Sequence, residues 1–238
     1  MTEPAFQPKR ILAIQNMAGE DFGRVERHLR AAGHDVVVVQ AHGGKPLPGP
    51  ERWDAVLVGG TPLAAYRWHD HGFLRDEAAF LQRAVAAFVP CLGICFGSQF
   101  LAHLLGGRAR QADRKEIGGY EVHLTEDGRH DPLLAGFPPR FRVFQWHGDT
   151  FDLPPGASLL ARGDGCRNQL FRRGSVVGVQ FHPEVTAADA ARWARMYPGE
   201  LAEAGRTEEE VTAECRAVDA EMDRLAARLM DNFLAVAR

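Results

Sequence analysis

Val89-Pro90-Cys91-Leu92-Gly93-Ile94-Cys95-Phe96-Gly97 is an apolar run that enters a cysteine with a glycine two residues before it and another two residues after. Ser98 to Leu105 continues it with helix-forming residues and stops at Gly106-Gly107. The pattern predicts a strand over Val89–Leu92, a sharp turn at Cys95 and a helix over Ser98–Leu105. The glycines remove the β-carbons that would collide where strand and helix pack together. Backbone N–H groups at the helix start would face the cysteine and favour its thiolate. The pentapeptide Gly93–Gly97 alone leaves two readings of Cys95 open, a reactive thiol or a small buried hydrophobe. Cys91, on the strand itself, reads as core.

The same grammar extends to both sides. Upstream, Ile11–Ile14, Val36–Val39 and Ala55–Val58 are short apolar runs that predict strands, with an amphipathic helix over Asp21–Ala32, a loop over Gly43–Pro50 and a helix over Phe73–Phe88. Continuous β-branched runs separated by helices imply a doubly wound, mostly parallel sheet with helices on both faces. Between Arg108 and Gln180 the texture changes to short pieces, Glu121–Leu124, Phe141–Phe144, Ser158–Ala161, Gln169–Phe171 and Val176–Gln180, which predict a small antiparallel addition. From Ala187 the chain turns helical, with a break expected at Pro198-Gly199 and a long helix over Glu208–Ala237 whose apolar residues, Met222, Leu225, Leu229, Met230, Phe233 and Leu234, form one face. Residues 1–238 therefore read as one domain, with a catalytic core over 1–186 and a helical C-terminal extension over 187–238.

The bulk numbers exclude several classes of function. The 28 basic and 31 acidic residues give a net charge of -3 with no long run of one sign, which argues against nucleic acid or an anionic membrane as partner. No apolar run approaches the ~20 residues needed to span a bilayer, and Met1 to Pro8 lacks the pattern of a secretion signal. The four cysteines are too few and too irregularly spaced for a disulfide framework or a zinc site, so a reducing, cytoplasmic location is expected and no metal or cofactor is called. His69-Asp70-His71 lacks a third ligand at suitable spacing and reads as a solvated loop, and His103 reads as helix packing.

A thiolate nucleophile needs a base and a group to orient that base. Val176-Val177-Gly178-Val179-Gln180-Phe181-His182-Pro183-Glu184 supplies both at the end of another apolar strand. Pro183 keeps the chain from entering a helix directly, so His182 and Glu184 can sit at the carboxyl edge of the sheet, where open α/β folds bind ligands.

With Cys95, His182 and Glu184 assembled, the chain resembles the class I glutamine amidotransferases, whose hallmarks are a G-x-C-x-G elbow and a downstream H-P-E. Leu105-Gly106-Gly107, Asp131-Pro132-Leu133-Leu134 and His147-Gly148-Asp149 also fit, and the likeness leans toward the amidotransferase domain of GMP synthetase and its stand-alone relatives. The resemblance implies Cys95, His182 and Glu184 as catalytic triad, backbone N–H groups of Gly60 and Phe96 as oxyanion hole, and Gln99 with the backbone around Gly148 and Asp149 as glutamine-holding residues. It implies hydrolysis of glutamine to glutamate and ammonia through a Cys95 γ-glutamyl thioester. The 238 residues leave no room for an ATP-dependent synthetase domain, so a separate acceptor-using protein is the expected partner. The same triad would also serve a γ-glutamyl peptide hydrolase or transferase, and a non-catalytic regulatory module of this fold is the third reading.

Overall fold

The computed structural model describes residues 7–236, so Ala237, the expected last residue of the long helix, lies outside the described residues. Four apolar segments begin the parallel half of the sheet: β1 (Arg10–Gln15), β2 (Asp35–Gln40), β3 (Ala55–Val58) and β4 (Cys91–Ile94), of which β2, at the sheet edge, is only half-buried. Helices α1 (Gly23–Ala31), α2 (Gly72–Ala86) and α3 (Phe96–Leu104) provide crossovers and flanking cover. After β5 (Arg108–Leu124) and the single helical turn α4 (Glu126–His130) come β6 (Arg140–Asp152), β7 (Ser158–Gly163), β8 (Asn168–Arg173) and β9 (Val176–Val179). The nine strands make one sheet in the order β2-β1-β3-β4-β9-β8-β7-β5-β6.

Strand β9 is the junction of the sheet. It pairs parallel to β4, Ile94 against Val179, and antiparallel to β8, Leu170 against Val179. The carboxyl ends of β4 and β9, which carry Cys95 and the segment leading to His182, are thereby neighbours.

Three expectations change. Glu121–Leu124 and Phe141–Phe144 are not short pieces but parts of β5 and β6, of 17 and 13 residues, paired along most of their length. Much of β5 is polar because it lies at the rim, so the apolar alternation fades while the ladder continues. The elbow strand sits two residues later than expected, and α3 begins directly at Phe96. The break expected at Pro198-Gly199 falls one residue earlier, at the non-helical Tyr197, and Pro198 itself opens α6 (Pro198–Glu203), as suits a residue with no N–H to donate and φ preset for a first turn.

Helix α5 (Ala187–Met196) starts at a capping box, with the Thr186 hydroxyl accepting from the Asp189 N–H and the Asp189 carboxylate accepting from the Thr186 N–H. Helix α7 (Glu208–Val236) buries Met222, Leu225, Leu229, Met230 and Phe233 in one cluster with Phe141, Val143 and Leu124 of the sheet. Arg24, itself buried, ties α1 to this helix through Asp219 and Asp223 and donates 2.6 Å to the Val185 carbonyl.

Glu77 of α2 is fully buried and accepts a hydrogen bond of 3.2 Å from Asn16 at the end of β1. Burial raises its pKa to about 8 despite the Asn16 bond, so the folded protein holds it protonated at neutral pH. The unfolded carboxyl ionises near 4.5, so this residue subtracts stability progressively as pH rises from there toward 8. Glu77→Gln is expected to stabilise the protein by roughly 1–3 kcal/mol at pH 7, with the gain vanishing near pH 4.5. Urea unfolding of both proteins at the two pH values is the check; an equal gain at both would contradict the neutral state of Glu77.

Candidate active site

Cys95 is the single residue between β4 and α3, with φ 51° and ψ -110°, a conformation that residues with a side chain rarely adopt. Its N–H donates 2.8 Å to the Val179 carbonyl of β9, and its carbonyl accepts from the Ser98 hydroxyl at 2.7 Å. These bonds hold the strained turn from both sides. The flanking glycines are sterically required: a β-carbon at Gly93 would strike the Gly97 carbonyl, and one at Gly97 the Val58 carbonyl of β3. Both obstacles are backbone and cannot swing away. Gly93→Ala is therefore expected to cost more than about 2 kcal/mol, read as a lowered urea midpoint; an unchanged midpoint would mean the elbow relaxes freely.

His182 follows β9, and Glu184 stands two residues on, with Pro183 between. The His182 Nδ1 lies 2.7 Å from Glu184 Oε1, and both side chains are buried. Desolvation opposes a charge on the ring, but the Glu184 carboxylate and the Cys95 sulfur outweigh it and raise the imidazole pKa well above its ordinary 6.5. The Trp193 ring of α5 meets the His182 ring edge-on at 4.9 Å, and the Glu184 carbonyl accepts from the Arg24 N–H at 3.1 Å. The start of α1 and the middle of α5 thus fix the His-Pro-Glu segment.

Cys95 and His182 converge on one atom. The Cys95 thiol donates to the Trp146 carbonyl at 3.7 Å, and His182 Nε2 lies 3.3 Å from the same oxygen. Gly60 is beside them, since a β-carbon there would lie 3.6 Å from the His182 ring and 3.9 Å from Cys95 Cβ. The Phe96 N–H is one of the first amides of α3 and has no acceptor within that helix. Gln99, buried on α3, donates 3.0 Å to the Asp149 carbonyl and 3.3 Å to Gln180 Oε1. The structure therefore brings Cys95, His182, Glu184, Gly60, Phe96 and Gln99 to one place, with Gly148 and Asp149 of β6 beside them on a cleft of about 430 Å³.

Known proteins resemble this chain in sequence and fold. The family model for class-I glutamine amidotransferases matches residues 21–192. The chain belongs to the class-I glutamine amidotransferases. This amidotransferase is 31% identical over 183 residues to the glutamine amidotransferase-like protein YfeJ of Salmonella typhimurium, covering 74% of this chain and 77% of that one. It is 30% identical over 178 residues to a glutamine-hydrolysing GMP synthase subunit of Sulfolobus acidocaldarius, covering 73% and 89%. The GMP synthase of Thermomicrobium roseum is 47% identical over 131 residues, 55% of this chain but only 23% of that relative's length. Among solved structures, a glutamine amidotransferase from Thermotoga maritima superposes with a TM-score of 0.89 at 32% identity, covering 96% of this chain and 99% of that one.

The amidotransferase cleft also contains residues that no motif in the sequence marks. Glu20, just after β1, accepts 2.6 Å from the Tyr197 hydroxyl, and burial raises its pKa. Trp146 contributes a backbone oxygen, which no side-chain motif can encode, and its indole N–H donates 3.2 Å to Glu200. Between Gln111 and Glu116 β5 bulges away from β6, setting Arg114 and Lys115 on the cleft rim, where Lys115 pairs with Glu203 at 2.7 Å. His147 is buried, with Nδ1 3.0 Å from the Asp149 carbonyl. His69 stacks on Trp68, and Asp70 pairs with Arg67 at 2.8 Å. His103 accepts from the Ala109 N–H at 3.4 Å, next to the end of α3. Among the described residues, no helix is long and apolar enough to cross a membrane.

Proposed function

We propose that this amidotransferase hydrolyses the side-chain amide of glutamine, with Cys95 as nucleophile, His182 as acid and base, and Glu184 as the group that orients and charges His182. The observation that carries the reading is the convergence of the Cys95 sulfur and His182 Nε2 at the Trp146 carbonyl, with Glu184 behind the ring. The strained elbow presents the sulfur above the sheet edge, at the start of α3. Thiolate attack on the amide carbon forms a tetrahedral oxyanion, for which the Phe96 and Gly60 N–H groups supply donors that need no reorganisation. The imidazolium gives its proton to the departing ammonia, leaving a γ-glutamyl thioester. A water deprotonated by the now neutral imidazole then attacks the thioester, releasing glutamate and restoring the thiolate and imidazolium.

In this scheme Gln99 acts mainly through the Asp149 backbone it holds, so that the strand segment Gly148-Asp149 presents fixed polar groups to the substrate's amino-acid end. The ammonia passes to a separate acceptor-using protein, consistent with the resemblance to a GMP synthase subunit. No step calls for a metal or cofactor.

A second substrate reading, a γ-glutamyl peptide, draws on the cleft's extension past the triad to the Arg114, Lys115, Glu200 and Glu203 rim. The thioester chemistry is the same, and only the leaving amine differs. Ammonia release from glutamine, measured beside cleavage of a γ-glutamyl dipeptide, separates the two: glutamine is expected to give the higher kcat/KM. A strong preference for the dipeptide would reassign the substrate, and turnover of neither would favour a non-catalytic module.

A further inference from the structure

Beside the cleft, which His147 also lines, is a second cluster that the proposed reaction does not use, formed by Glu116 of β5, His147 opposite it on β6, and Cys166 in the β7–β8 turn. The geometry points to Glu116, His147 and Cys166 as the protein ligands of a divalent metal ion of the zinc class, bound separately from the triad. All three residues are buried, and one ligand atom from each lies within 4.8 Å of the others. Metal bonds of about 2.0–2.3 Å place tetrahedral ligand atoms roughly 3.3–3.7 Å apart. His147 Nε2 and Glu116 Oε2 already stand at 3.3 Å.

The hydrogen-bond pattern favours a cation there. His147 Nδ1 faces the Asp149 carbonyl at 3.0 Å, which can only accept, so Nδ1 carries a proton. In the neutral ring Nε2 is then a lone pair; it is buried, makes no hydrogen bond and is aimed at a carboxylate oxygen. A metal ion between the two resolves that opposition, and a backbone carbonyl on the far nitrogen is the usual outer partner of a metal-bound histidine. Glu116 is oriented by the Cys166 N–H at 2.8 Å, and the Thr150 hydroxyl lies 3.0 Å from the Cys166 sulfur, placed to donate to a thiolate.

Binding would replace the Cys166 S–H bond by a sulfur–metal bond and release that proton to solvent. The charges of a divalent ion, one thiolate and one carboxylate cancel, which suits a buried site. Three protein ligands leave a fourth position for water. Because the ligands come from β5, β6 and the β7–β8 turn, the ion would staple the long β5–β6 hairpin that presents Trp146 and Asp149 to the cleft. The rival account of the same contacts is a His147 imidazolium paired with Glu116 and no metal at all.

The test uses the full chain carrying Cys95→Ser, which removes the cleft thiol as a competing ligand, after treatment with a chelator. Cobalt(II) titration is expected to reach one ion per chain, with a thiolate-to-cobalt charge-transfer band and the visible absorption of a four-coordinate site. Adding Cys166→Ser is expected to abolish the charge-transfer band and weaken binding by about tenfold or more. X-ray absorption of the zinc-loaded Cys95→Ser protein, which needs no second substitution, is expected to report one sulfur with nitrogen and oxygen neighbours. Absence of one-to-one binding, a shell without sulfur or with two, or a charge-transfer band that survives Cys166→Ser would overturn the assignment.

Discussion

Cys95→Ala is expected to lower glutamine hydrolysis by about 10⁶-fold, the scale on which loss of a triad nucleophile acts, while leaving folding stability within about 1 kcal/mol of wild type. The two halves of this expectation have separate causes. Activity falls because no other thiol can form the thioester: Cys91, Cys166 and Cys215 are buried in places where burial pushes their pKa values up, to about 12 for Cys91 and Cys215. Stability changes little because alanine keeps the β-carbon that makes φ 51° costly and loses a sulfur whose bond to the Trp146 carbonyl is long, at 3.7 Å, while the Glu184 carboxylate still holds the His182 ring that the sulfur also faced. Cys95→Gly removes that β-carbon as well and is expected to be equally inactive yet more stable by roughly 1 kcal/mol. An ammonia assay and urea unfolding of the three proteins are sufficient. Retention of more than about a thousandth of the activity in Cys95→Ala would remove Cys95 as nucleophile.

His182→Ala is expected to reduce kcat/KM by about 10⁴-fold, the upper end for a lost general acid and base. In combination with Cys95→Ala the loss is expected to be no greater than that of Cys95→Ala alone, because the two residues act as one unit. The same substitution carries a signature in stability. The folded ring is held protonated well above pH 6.5, whereas the unfolded ring titrates near that value. The contribution is thus fully present below pH 6.5 and is lost as pH rises through the higher folded value. Wild-type urea midpoints should fall relative to His182→Ala as pH is raised from 6.5 into the alkaline range. Parallel curves would mean that Glu184 and Cys95 do not hold the imidazolium.

The parts of this architecture that are legible in the sequence are those whose order is local. Val36–Val39 and Ala55–Val58 read as strands because every side chain in them is apolar and most are β-branched, and Gly93 and Gly97 mark the elbow because steric exclusion acts over a few residues. His182 and Glu184 stand in a strand-ending motif. Strand β5 is hidden because Arg108 to Glu116 is mostly polar and owes its extended form to pairing with β6, a partner distant in the chain. The Trp146 carbonyl is hidden because a backbone oxygen has no letter of its own. Glu116, His147 and Cys166 look unrelated because their spacing follows sheet order rather than any helical or hairpin period. Glu77 passes for one more polar residue of an amphipathic helix, although the topology lays its helix against Asn16.

The bulge in β5 bears on how such a protein can change over evolutionary time. Gln111 pairs with Asp149 and Glu116 with His147, so the four residues between them, Ala112 to Lys115, are spanned on β6 by Gly148 alone. The bulge absorbs the change of register and the ladder is regular on either side of it, so residues can be exchanged, gained or lost in this overhang without shifting any paired neighbour. The overhang nevertheless borders the cleft that Cys95 lines. Selection can therefore retune what the rim admits, or which protein it meets, while the elbow and the His-Pro-Glu segment stay under the separate constraint of folding.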